Sequence, residues 1–240
     1  MNMRNVLDLS SYLVIGPENT LGRPVRKIVS EAVRGGFSCI QLRSKTASAK
    51  EMIQLTQEAA EEISLLKKSA KVSLLVNDRL DVALAAREQG IKVDGIHVGQ
   101  TDIPVPVCRK YLGEDAIVGL SARTEQLINY VKSCDISDID YFGVSPLHET
   151  LTKLDCGRNH DGNVIERSLD ELCELSRYSK IPVVIGGGVK ILDLPALAQT
   201  GVDGFFVVTA ITEAENPYQA AKEMSNLWKN LVLKRGTAKK

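Results

Sequence analysis

Net charge is missing from this chain: 30 lysines and arginines balance 30 aspartates and glutamates over 240 residues. Without a global field to draw in nucleic acid or anionic lipid, any anion binding must be local. Cysteine is sparse, five in all, odd in number and without C-x-x-C spacing, which argues against a disulfide scaffold and reads as a reduced intracellular protein. No apolar run approaches the ~18 residues of a membrane span. Residues 1–11 are polar and charged, with no signal-peptide apolar core. The expectation is a soluble cytoplasmic protein with neither a nucleic-acid nor a membrane partner, a homo-oligomer being left open. No Ser/Gly/Pro-rich linker divides the chain, so one domain is expected over residues 1–240. The first βα turn, Gly16-Pro17-Glu18-Asn19-Thr20, lacks the glycine fingerprint of dinucleotide-binding folds, which argues against a doubly wound sheet.

What is present is alternation. Short β-rich apolar runs at 12–15, 39–42, 73–76, 95–98, 116–119, 141–144, 182–185 and 205–208 are separated by amphipathic stretches. Leu21, Val25, Ile28, Val29, Ala32 and Val33 fall on one helical stripe, as do Met52, Ile53, Thr56, Ala59, Ala60 and Ile63. The last helix opens with Asn216-Pro217, a cap followed by proline at the first helical position. About eight βα units spaced ~25–30 residues apart predict a (β/α)8 TIM barrel. Residues 145–167 carry neither pattern, and a loop of that length leaving the sixth strand at the active-site face suggests a lid.

Chemistry collects at the strand ends. In Gln41-Leu42-Arg43-Ser44-Lys45, the period of two points Gln41, Arg43 and Lys45 to one side. Two cations there are costly unless an anionic ligand meets them or the strand end frays into water. Asn77-Asp78 ends the third strand and Asp102 follows the fourth. Either aspartate could cap a helix, and together, near a phosphate, they suit Mg²⁺. His97 lies within a strand and reads as a packed or hydrogen-bonded residue, not a metal ligand. Ser121 follows the fifth strand without a G-x-S-x-G elbow, so it reads as a ligand hydrogen bond or a cap, not a nucleophile. Thr150, Thr152 and Lys153 in the long loop suit a diphosphate or simply water. His148, Cys156 and His160 share that loop but match none of the usual zinc spacings. Gly186-Gly187-Gly188 ends the seventh strand and Val208-Thr209 the eighth, where barrels often bind phosphate.

Taken in order, these motifs resemble the thiamine phosphate synthase family from Tyr12 to about Trp228. The matching elements are Q-L-R-x-K at Gln41, N-D at Asn77, D-G-x-H-x-G-Q-x-D from Asp94, G-x-S at Gly119, T-x-T-K at Thr150, G-G-V at Gly187 and V-V-T-A-I at Val207. The resemblance implies condensation of hydroxymethylpyrimidine diphosphate with a thiazole phosphate, giving thiamine phosphate and pyrophosphate by a dissociative, Mg²⁺-assisted route. It implies that Gln41, Arg43, Lys45 and Asn77 bind the pyrimidine diphosphate, with Ser121 and Lys153 touching the same substrate. Of these, Arg43, Lys45, Ser121 and Lys153 would carry the catalysis. Asp78 and Asp102 would hold the metal, and Thr150, Thr152, Gly187, Gly188, Val208 and Thr209 the thiazole phosphate. Departures from the family pattern cluster on the thiazole side: residues 144–149, a longer 154–167 loop, and Thr209 where serine is commoner. Two rival readings share the fold. A thiazole tautomerase would use His148 and Glu149 as acid–base groups, and a sensor of thiamine intermediates would bind without turnover.

Overall fold

The structure is a computed structural model that describes residues 3–122, 126–149 and 164–238. Eight parallel strands close into a barrel in sequence order. They are β1 (Ser11–Ile15), β2 (Cys39–Leu42), β3 (Ser73–Asn77), β4 (Gly95–Val98), β5 (Ile117–Ala122), β6 (Tyr141–Val144), β7 (Val183–Ile185) and β8 (Gly204–Val207). The ring shuts where Tyr12 of β1 pairs in register with Phe206 of β8. Between and after the strands lie α1 (Val25–Arg34), α2 (Ala49–Leu65), α3 (Leu80–Glu88), α4 (Val105–Leu112), α5 (Leu127–Ser133), α6 (Leu169–Tyr178), α7 (Leu194–Thr200), α8 (Thr209–Thr212) and α9 (Pro217–Ala238).

Alternation along each strand sorts the core into two shells. Leu13, Ile15, Ile40, Leu42, Leu74, Val76, Ile96 and Val98 face outward and join the helices in one large cluster. Tyr12, Val14, Cys39, Leu75, Ile117, Tyr141 and Val184 face inward and fill the barrel. Two inward glycines make room for the large rings. A Cβ on Gly119 would lie 2.2 Å from the Tyr141 ring, and one on Gly143 would lie 2.8 Å from the His97 ring. On the outside, α9 packs against α1 and α7, and buries Trp228 edge-on against Phe205, ring centroids 5.4 Å apart.

The base of the barrel is tied by a repeated device. Asp94, Asp140 and Asp203 each sit one residue before an even-numbered strand and accept a backbone N–H from the start of the strand before it. The donors are Leu74, Val118 and Val183, at 2.7, 2.7 and 2.8 Å. Asp140 also pairs with the buried Arg109 at 2.8 Å and with Arg4 at 2.5 Å, clamping the N-terminal segment under the barrel.

The helical stripe beginning at Leu21 is one residue set too long. The chain turns at Leu21 (φ 54°) and Gly22 (φ 78°), so α1 begins only at Val25 and leaves Leu21 71% exposed. The fifth strand runs on through Ser121 to Ala122, so Ser121 lies inside the barrel wall and not on the turn after it. No helix among the described residues is long and apolar enough to cross a membrane.

Candidate active site

At the C-terminal mouth of the barrel a cavity opens among Tyr12, Val14, Gln41, Arg43, Asn77, His97 and Ser121 on one side. Asn19, Gly143, Ser145, Val184, Phe206 and Val208 complete it. Gln41, Arg43, Asn77, Ser121 and Val208, expected from the sequence, thus meet in one place. Period-two alternation carries Gln41 and Arg43 to the same face, although β2 ends at Leu42.

Lys45 is displaced from that lining. It stands beyond the ladder, exposed, with its Nζ 3.0 Å from Asp78 Oδ2. Asp78 adopts a left-handed backbone (φ 58°), donates its N–H to the His97 carbonyl at 2.9 Å, and makes no cap for α3, whose N-cap is Arg79. Asp102 is exposed and folds back to accept the Gly99 N–H at 2.8 Å, closing the loop after β4. Two carboxylates therefore stand on the loops leaving adjacent strands, one of them already holding a cation.

Glu18, not singled out in the sequence, organises the cationic segment. From the β1–α1 loop it accepts hydrogen bonds from Ser44 Oγ, from Thr46 Oγ1 at 2.9 Å and from the Lys45 N–H at 3.1 Å. Partial burial pulls its carboxyl upward, yet these donors outweigh burial and hold it below the usual carboxylate range. Gly16 permits the approach, since a Cβ there would lie 1.9 Å from the Arg43 carbonyl oxygen.

The cavity floor is polar. Gln41 Nε2 donates to Tyr12 Oη; Tyr12 Oη lies 2.9 Å from Tyr141 Oη; Tyr141 Oη lies 2.8 Å from His97 Nδ1; and His97 Nε2 lies 3.0 Å from Ser121 Oγ. Burial pushes both phenols well above their ordinary range, so they remain protonated. His97 is hydrogen-bonded inside the barrel, as its position in a strand led one to expect.

On the opposite rim, Gly187 (φ 79°) and Gly188 (φ 72°) turn the chain after β7, and their packing against the segment after β6 leaves no room for side chains. The Leu147 and His148 N–H groups bond to the Gly186 and Gly187 carbonyls at 2.9 and 3.0 Å. Arg167 N–H returns to the Pro146 carbonyl at 2.9 Å, so both roots of the long loop are anchored. His148 Nε2 lies 3.0 Å from Asp193 Oδ1, in a groove with Glu166 and Arg167 separate from the barrel cavity. Thr209 opens α8 directly after Val208. Thr150, Thr152, Lys153, Cys156 and His160, with most of the suggested lid, lie outside the described residues.

A (β/α)8 barrel with amide, guanidinium, ammonium and carboxylate groups gathered at its C-terminal mouth, facing a glycine turn after β7, defines the class: a phosphate-handling barrel enzyme. Residues 11–211 match the sequence profile of the thiamine monophosphate synthase family, and the chain belongs to it. It is 38% identical over 222 residues to the thiamine-phosphate synthase of Corynebacterium efficiens, covering 92% of this chain and 96% of that one. The corresponding protein of Natronomonas pharaonis is 35% identical over 91% of this chain and 94% of its own length. Among solved structures, thiamine phosphate pyrophosphorylase from Pyrococcus furiosus superposes with a TM-score of 0.75 at 27% identity, covering 96% of this chain and all of that one, 100%. A 3-hexulose-6-phosphate synthase superposes at 0.63 with 14% identity over 91% of this chain and 99% of that one, a likeness of fold alone.

Proposed function

We propose that this protein condenses 4-amino-2-methyl-5-hydroxymethylpyrimidine diphosphate with 4-methyl-5-(2-phosphoethyl)thiazole, forming thiamine phosphate and releasing pyrophosphate. Family membership supports the reaction, and one observation carries the site: Gln41 and Arg43 at the end of β2, Asn77 of β3 and Ser121 of β5 line a single cavity beside the Lys45–Asp78 pair.

In this reading Arg43 grips the diphosphate through its planar fork, and Lys45 follows the leaving group as a movable point charge. Asn77 and Gln41 orient the pyrimidine end, and Ser121 meets it from β5. Thr150, Thr152, Gly187, Gly188, Val208 and Thr209 take the thiazole phosphate, and Lys153 joins the diphosphate. Asp78 and Asp102 would hold Mg²⁺: both offer hard oxygen donors. The described residues contain no cluster of three or more metal-binding side chains, so substrate phosphates and water would complete the shell. When bound, the ion would offset negative charge growing on the departing pyrophosphate. Lys45 then leaves Asp78 for the diphosphate, an exchange of one anionic partner for another.

The route proposed is dissociative: pyrophosphate departs first, and the thiazole nitrogen captures the pyrimidine cation. Fixed cations stabilise the leaving group, and alignment of the two substrates supplies most of the remaining rate. No protein nucleophile is needed. A tautomerase would gain nothing from Arg43, Lys45 and the two aspartates, and its candidate acid, His148, faces Asp193 away from the cavity.

The test is incubation of the purified protein with both substrates, with and without Mg²⁺. Magnesium-dependent thiamine phosphate is the expected result; a folded protein that forms none with verified substrates would refute the assignment.

A further inference from the structure

Five side chains from β1, β2, β4, β5 and β6 form one continuous hydrogen-bonded row across the cavity floor: Gln41, Tyr12, Tyr141, His97 and Ser121. All are at least nine-tenths buried, from 0% exposure at Tyr141 to 9% at Ser121. Barrel interiors are normally filled with branched aliphatic residues, and a polar row there is tolerated only when its members satisfy one another.

The row has a direction. An amide NH₂ donates and cannot accept, so the Gln41 Nε2 contact leaves the single Tyr12 proton to go elsewhere. Its oxygen neighbour is Tyr141 Oη at 2.9 Å, a far better acceptor than the buried Cys39 thiol alongside. The Tyr141 proton, displaced in turn, points to His97 Nδ1 at 2.8 Å. An imidazole accepting at Nδ1 is neutral and carries its hydrogen on Nε2. That hydrogen points to Ser121 Oγ at 3.0 Å, and the serine's own proton is left for the cavity that Ser121 lines.

We infer that Tyr12 and Tyr141 are positioning residues that fix His97 in its Nε2–H tautomer and so present Ser121 to the bound pyrimidine as a hydrogen-bond donor. The reading rests on the cavity being the pyrimidine site. It also excludes His97 as a base toward Ser121, because the nitrogen facing the serine already carries a proton. A ligand atom with a lone pair, placed beside Ser121, would receive the serine proton.

The primary test leaves every member of the row unmutated. Long-range ¹H–¹⁵N correlation on protein labelled at histidine reads the tautomer directly, and the other two of the three histidines are assigned by His148→Gln and His160→Gln. A protonated Nε2 with unprotonated Nδ1 at His97 is expected. An Nδ1–H tautomer or an imidazolium overturns the inference, since the row would then run the other way. Kinetics give the second arm. Tyr141→Phe keeps the ring and removes the donor, and is expected to mix the tautomers and lower kcat about tenfold, the worth of roughly one hydrogen bond. Combined with Ser121→Ala it should cost no more than Ser121→Ala alone. Multiplying effects would show that the tyrosine acts independently of the serine and would overturn the inference. The tautomer reading stands or falls without turnover, so its failure is separable from failure of the synthase assignment.

Discussion

Replacing Gly16 by alanine tests whether the β1–α1 loop sets the position of Arg43. The backbone of Gly16 is extended (φ −150°, ψ 171°), a conformation alanine adopts freely, so any effect comes from space and not from backbone strain. The new Cβ would lie 1.9 Å from the Arg43 carbonyl oxygen and 2.7 Å from Glu18 Oε2. Real Cβ contacts essentially never fall below 3.0 Å, so the two loops must part by about 1 Å. The first obstacle is backbone and cannot rotate away. Overpacking of this kind costs about 1–3 kcal/mol of stability, and a displacement of about 1 Å in a substrate-positioning residue costs on the order of 10²-fold in rate. The expected result is a fall of that size in kcat/KM for the pyrimidine diphosphate, with a much smaller change for the thiazole phosphate, which is assigned to the opposite rim. Gly113→Ala is the control. Gly113 has φ 86° and nothing within 4 Å of an added Cβ, so alanine there strains only the backbone after α4. It should cost roughly 1 kcal/mol or more and leave the kinetics alone. Wild-type kcat/KM in Gly16→Ala, or an equal kinetic loss in both variants, would refute the reasoning.

Asp102→Asn keeps the acceptor for the Gly99 N–H but removes a charge, so the magnesium requirement should rise several-fold in a titration of turnover; an unchanged requirement would remove Asp102 from the metal site. Asp140→Ala strips the buried Arg109 of its nearer carboxylate, leaving only Asp138 at 4.0 Å, and the Val118 N–H of its acceptor, so denaturant unfolding should show a loss of about 3 kcal/mol with little change in KM. Asp203 supplies a pH test. Burial raises its carboxyl above 3.8, against the opposing pull of the Val183 N–H and Arg235. Its contribution is therefore full below 3.8 and is lost as pH rises through the folded value. Asp203→Asn carries no such titration, so its stability relative to wild type should climb with pH above 3.8 in urea unfolding curves; parallel curves would contradict this.

The barrel was legible because both of its periods are written in the chain. Buried strands flanked by helices must be apolar on both faces, and the runs at 39–42, 95–98 and 141–144 coincide with β2, β4 and β6. Candidate ligand residues were legible for a related reason: a polar side chain at the end of an apolar strand stands out, and Gln41, Arg43, Asn77 and Ser121 do meet. Leu21 misled because helical spacing cannot register a positive φ one turn before the helix.

Tertiary structure alone decided how those groups are held. Glu18 is an ordinary loop acid until the closure of β1 against β2 brings its carboxylate onto the backbone of residues 45–46. Tyr12 and Tyr141 stand 129 positions apart and look like core aromatics, which they also are. Only a closed ring of eight strands turns them toward one another and onto His97, because strand alternation specifies which face a side chain takes but not which residue waits across the barrel. The sequence by itself therefore determined the class of fold, the face on which chemistry gathers and the groups available to it. The pairing of those groups, from Gln41 through the two tyrosines and His97 to Ser121, came from the curvature of the closed sheet.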